Sequence, residues 1–118
     1  MEKDFDINVY EITGTSRPFG RTSEDGSPSG DTIRKLANDN WDKYEKINIL
    51  FEGVAQMTRG FMDEAIAKLL EDHSLEEFNS KIYFPDAKES IVKELNACLK
   101  LRIKIIRINK EREAEGKL

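Results

Sequence analysis

Three groups of residues in this chain are of types that could do chemistry. The first is a polar loop, Gly20-Arg21-Thr22-Ser23-Glu24-Asp25-Gly26-Ser27-Pro28-Ser29-Gly30. Backbone N–H groups running into a helix start could cradle a phosphate there, and Arg21 could add a bidentate contact. The loop has neither the Gly-x-x-x-x-Gly-Lys-Ser/Thr nor the Gly-x-Gly-x-x-Gly order. A turn in which Ser29 caps the next helix accounts for the same residues. The second group is Thr58-Arg59-Gly60-Phe61-Met62-Asp63-Glu64. Asp63 and Glu64 look like an acid pair, yet adjacent helical positions point about 100° apart, and the helix start itself attracts carboxylates. The third is His73 and Cys98, one residue of each kind. Asp72 and Ser74 diverge from His73, so no triad forms, and 25 positions between His and Cys give no zinc spacing. No catalytic, cofactor or metal residue is expected.

The remaining composition narrows the class. A chain of 118 residues is one domain's worth, with 38% hydrophobic and 36% charged residues, so a modest core and a well-solvated surface follow. The net charge of −4 argues against general nucleic-acid binding. Charge is unevenly placed: residues 58–79 carry six acids and two bases, and residues 93–112 carry seven bases and two acids. The basic run lacks aromatic interleaving and reads as a solvated face; steep salt dependence would be the mark of DNA association. A lone cysteine fits a reducing compartment, and Cys98 in an apolar helical pattern reads as an inert core thiol. No signal peptide is visible, and the longest uncharged run is only Gly53–Thr58, so the expectation is a cytoplasmic protein with no membrane contact.

These residues need elements to hold them. Ile7, Val9 and Ile12 read as a first strand, and the Gly- and Pro-rich stretch 14–30 as a long loop with room for a short strand at Gly20–Ser23. Ile33, Leu36, Ala37, Trp41 and Tyr44 share one helix face. Ile47–Phe51 reads as a central strand covered on both sides. Thr58 caps a helix striped by Phe61, Met62, Ala65, Ile66, Leu69 and Leu70. Ser74-Leu75-Glu76-Glu77 is a capping box for a short helix, Lys81–Phe84 a further strand, and Asp86–Glu89 the start of a last helix. Residues 100–108 fit either a continued helix, which is preferred, or an edge strand that could pair two chains as a homodimer.

The order of these motifs resembles the STAS-like domains of unknown function, related in fold to anti-sigma-factor antagonists. The matching residues are Gly20-Arg21, Asp25-Gly26, Ser29-Gly30, Phe51-Glu52-Gly53 and Gly60-Phe61-Met62-Asp63-Glu64-Ala65, over roughly residues 7–108. The resemblance implies an α/β fold, a small mixed sheet of four to five strands with helices packed mainly on one face. It also implies a bacterial signalling circuit, because such domains stand beside helix-turn-helix segments and GHKL-type ATPases. In the antagonists a Ser at a helix start is phosphorylated by a partner kinase. Here the corresponding Asp-Ser-Ser-Gly falls on Thr58-Arg59-Gly60-Phe61, which leaves Thr58 as the only hydroxyl and reads as a plain N-cap.

The expectation is therefore a single domain over 1–110 with a frayed tail at 111–118. It would act as a non-catalytic interaction module docking onto an ATPase, kinase or transcription regulator. Arg21, Asp25 and Ser29 of the loop, with Thr58, Arg59, Met62 and Asp63 of the helix start, form the expected docking surface. The alternative is a phosphate- or nucleotide-binding protein using the Gly20–Gly30 loop.

Overall fold

The computed structural model describes residues 2–23 and 25–116. Strand β1 runs Glu2–Asn8, earlier than the strand expected at Ile7–Ile12. The alternation stops at Asn8 because its side chain accepts a hydrogen bond from Glu11 N at 3.0 Å and caps a single helical turn, α1 (Val9–Thr13). Gly14, at φ 71°, closes that turn in the left-handed conformation.

β2 (Tyr44–Leu50) lies in the middle, parallel to β1 on one side and to β3 (Ile82–Tyr83) on the other. Among the described residues the sheet has three strands, all parallel, and not the expected mixed sheet of four to five. Gly20–Ser23 forms no strand, residues 100–108 are helical, and the Lys81–Phe84 strand shrinks to two residues before Pro85.

The register sets Phe5 and Ile7 beside Ile47 and Ile49, with Ile82 next to Ile47, and these form the inner face. Asp4, Asp6 and Asn48 occupy the other face, where Asn48 Nδ2 donates to Asp4 Oδ2 at 3.1 Å and to Asp6 Oδ1 at 2.9 Å. The apolar run Ile47–Phe51 is thus covered on one side only, although parallel sheets are usually covered on both. Helices pack on the inner face, as the resemblance implies.

Helix α2 (Gly30–Asp39) buries Ile33 and Ala37; Trp41 and Tyr44, expected on the same helix, fall in the turn beyond it and at the start of β2. After the Thr58 cap the chain forms α3 (Arg59–Met62), one wide π-helical turn (Asp63–Ala67) and α4 (Leu69–Asp72). The expected single apolar stripe is instead burial on all sides, since α2 and α6 both pack on this segment. Ser74 and Glu77 form the predicted capping box of α5 (Leu75–Lys81). Helix α6 (Glu89–Gly116) is continuous through 100–108 and includes residues 111–116 of the segment expected as a tail; 117–118 lie outside the described residues.

Two side chains tie distant elements together. Asp86 does not start α6; its carboxylate accepts from Phe51 N at 2.8 Å and Glu52 N at 3.0 Å and clamps the end of β2. His73, expected on the surface, is half-buried and stacks on Trp41, with ring centroids 3.5 Å apart and planes within 3°. Among the described residues, no helix is long and apolar enough to cross a membrane.

Candidate functional site

The loop and the helix start predicted to share a surface do meet. Thr58 Oγ1 accepts from Phe61 N at 3.1 Å, capping α3, and donates to Phe19 O at 2.8 Å, pinning the loop. Arg21 then lies across Gly60, where an added Cβ would sit 3.4 Å from its Nε. Its Nη1 reaches Asp63 Oδ2 at 2.6 Å and stands 3.7 Å from Glu64 Oε1.

Asp63 and Glu64 are buried, so each needs cations. Arg102 of α6 grips Asp63 with two donors, Nε to Oδ1 at 2.8 Å and Nη2 to Oδ2. Glu64 pairs with Arg34 at 2.8 Å and with Lys68, one turn on, at 3.0 Å. Burial pushes the Asp63 carboxyl up, but the hydrogen bonds from Arg102 and Arg21 outweigh it and hold the group below its ordinary value. Burial raises the Cys98 thiol beside it, in keeping with an inert core thiol.

The other predicted site residues separate by exposure. Arg59 is exposed and pairs with Glu94 at 3.3 Å. Asp25 is exposed but turned onto its own loop, accepting from Ser27 Oγ at 2.6 Å, Ser27 N at 3.0 Å and Ser23 Oγ at 2.8 Å, which lowers its carboxyl to about 2. Ser29 is buried, its hydroxyl donating to Asp31 Oδ1 at 2.7 Å. Met62 faces the core with Phe61, contrary to its expected outward position, because α3 is enclosed on both flanks. Ser29, Met62 and Asp63 thus lie beneath the surface that Arg21, Asp25, Thr58 and Arg59 present.

Behind the loop a cleft of about 590 Å³ is lined by hydroxyls such as Thr15, Thr22 and Ser27, by Phe19 and Pro28 and by Asp25, with no Lys or Arg among the described residues. The donors that would hold an anion at the α2 start are spent: Gly30 N donates to Gly20 O and Asp31 N to Arg21 O, both at 2.9 Å. Among the described residues no cluster of His, Cys, Asp and Glu could hold a metal ion.

Sequence reasoning missed Arg34, Lys68 and Arg102, placing Arg102 in a solvated basic run. A signal was present. Ile91, Leu95, Cys98 and Arg102 follow i, i+4, i+7, i+11 on the buried stripe of α6, where a charge requires a partner.

A family model described as "STAS-like domain of unknown function (DUF4325)" matches residues 29–92. No curated protein and no solved structure matches the chain. The matched span carries Arg34, Thr58, Asp63, Glu64 and Lys68, whereas Arg21 and Arg102 flank it. It takes in just over half of the sequence, from the cap of α2 to the first turn of α6, and the chain belongs to the family of STAS-like domains of unknown function.

Proposed function

We propose that this STAS-like chain is a non-catalytic regulatory module of a bacterial, cytoplasmic signalling circuit. It docks onto a partner such as a GHKL-type ATPase or a transcription regulator. The observation that carries this reading is the pair of exposed guanidiniums, Arg21 and Arg59, on one cavity at the start of α3. Arg21 is tethered to buried Asp63, so part of its ordering cost is met on folding. Arginines are frequent anchors of protein interfaces. The non-catalytic reading is supported by the acids themselves: a carboxylate clamped by two arginines and held below its ordinary pKa is a poor proton shuttle near neutrality.

Pull-down from native lysate with wild type and Arg59→Glu as parallel baits tests the docking. The wild type recovers one specific regulatory protein and the variant loses it, while the melting temperature moves by no more than a few degrees, since Arg59 is exposed. Equal recovery by both baits sinks the proposed surface. For the alternative, nucleotide binding at Gly20–Gly30, the occupied N–H groups and the cation-free cleft weigh against it. Saturable ATP or GTP binding abolished by Arg21→Ala would reinstate it.

A further inference from the structure

A cavity of about 100 Å³ opens between the α3 start and α6, and Arg21, Arg59 and Arg102 all line it, with Asp63 at its base and aliphatic side chains of α6 on one wall. Three guanidiniums around one small space repel one another, so something must hold them there. Asp63 holds two, taking Arg102 on Oδ1 and both Arg21 and Arg102 on Oδ2. Asp63 offsets one of those two charges, and Glu64, 3.7 Å from Arg21 Nη1, is already shared by Arg34 and Lys68. Arg59 leans on Glu94 through a single contact at 3.3 Å with both side chains well exposed, a pairing worth little in water and easily exchanged.

Each guanidinium carries five N–H donors in a planar fork. In the contacts described, Arg21 spends one on Asp63, Arg59 one on Glu94, and Arg102 two on Asp63. The remaining donors and the surplus positive charge call for a compact anion with several acceptor oxygens. A phosphoryl group brings roughly −1.5 to −2 charge and three such oxygens, whereas a second carboxylate would repeat what Asp63 already supplies. Size sharpens the choice. The cavity has room for one tetrahedral oxyanion but is well below the pockets of about 300 Å³ or more that take drug-sized ligands.

We propose that this three-arginine cavity recognises a single phosphoryl group, from a phosphorylated side chain or from free phosphate. As the feature that the docking surface reads on its partner, the proposal rests on the docking reading, yet the anion site can be measured with no partner present. Calorimetric titration of the full chain with N-acetyl-O-phosphoserine methylamide, orthophosphate and acetate at matched ionic strength provides the test. The expected result is saturable one-to-one binding of a phosphate species, weakened about tenfold or more by Arg59→Ala and by Arg21→Lys. Tighter binding of the phosphoserine compound assigns the site to a modified side chain, and tighter binding of orthophosphate assigns it to the free ion. Binding of neither, equal binding of acetate, or binding indifferent to both substitutions overturns the proposal. A failed titration beside an Arg59-dependent pull-down removes the phosphoryl site and keeps docking; phosphate binding with no partner recovered does the reverse.

Discussion

The Asp63 carboxylate joins three separate stretches of chain: the Arg21 loop, the π-helical turn and the Arg102 face of α6. Asp63→Asn leaves Arg102 with a neutral neighbour at its two best contacts, and removing one partner of a buried pair is costly. The expected loss is ~3 kcal/mol, at the low end for such pairs because Arg21 is half-exposed and can turn to water; chemical denaturation of the two proteins measures it. The acid arm of stability follows the same group. Its folded pKa lies below the unfolded value, so the stabilisation is complete above the ordinary carboxylate range and is lost as pH falls through the depressed value. Asp63→Asn should therefore flatten the acid end of the stability–pH curve, and an unchanged curve would remove Asp63 from that role. The meeting of Arg21 with Asp63 was legible in the sequence as two halves of one surface. The burial of Asp63 was not, because it depends on Arg102, whose place on the buried stripe of α6 is hidden in a basic run that reads equally well as a solvated face.

Among elements, the acid-bearing helix departs most from a regular pattern. At the π-helical turn Lys68 N donates to Asp63 O at 2.8 Å, five residues back, and Asp63 and Glu64 open that turn. Such turns recur at functional sites. Two glycines flank this region and behave oppositely. A Cβ on Gly30 would stand 2.9 Å from Glu64 Cβ and 3.2 Å from both Arg21 O and Phe61 O, so backbone must move. Gly30→Ala should cost roughly 2 kcal/mol, overpacking outweighing the usual helical gain of alanine. Gly60→Ala meets only the flexible Arg21 side chain and should be neutral or stabilising by up to about 1 kcal/mol. Thermal melts of the pair decide the matter, and equal effects would refute the close approach of α2. Local signals located the Thr58 cap, the Ser74 box and the continuous last helix. They failed where a cap competed with β-branched residues, as Asn8 did at Val9–Thr13, and where strand content depended on pairing partners instead of composition.

At the scale of the whole molecule, α6 stretches a body of 34 by 30 Å to 49 Å in its longest dimension. Its last fully buried residue is Cys98, and Ile106 is the most distal side chain packed against the core. Ending the chain after Ile108 should leave the melting temperature within about 2 °C, since exposed residues contribute little; a larger fall would mean that the distal helix is held by contacts with another chain. The family and the α/β class were legible from motif order, while the three-stranded parallel sheet with one bare polar face was not. The face-to-face stack of Trp41 and His73 gives the folded chain an internal optical gauge. Trp41 is the sole tryptophan, and His73 Nε2 lies 2.8 Å from Asn38 Oδ1, whose amide in turn donates to Asp72 and thereby fixes that oxygen toward the ring. Burial lowers the His73 pKa below its ordinary value, so the ring takes up its proton at a lower pH than an exposed histidine does. Once charged, an imidazolium quenches indole emission far more than the neutral ring does. Fluorescence of the native protein should therefore dim as acid is added, and His73→Gln should abolish that step while leaving the tryptophan as a monitor of unfolding.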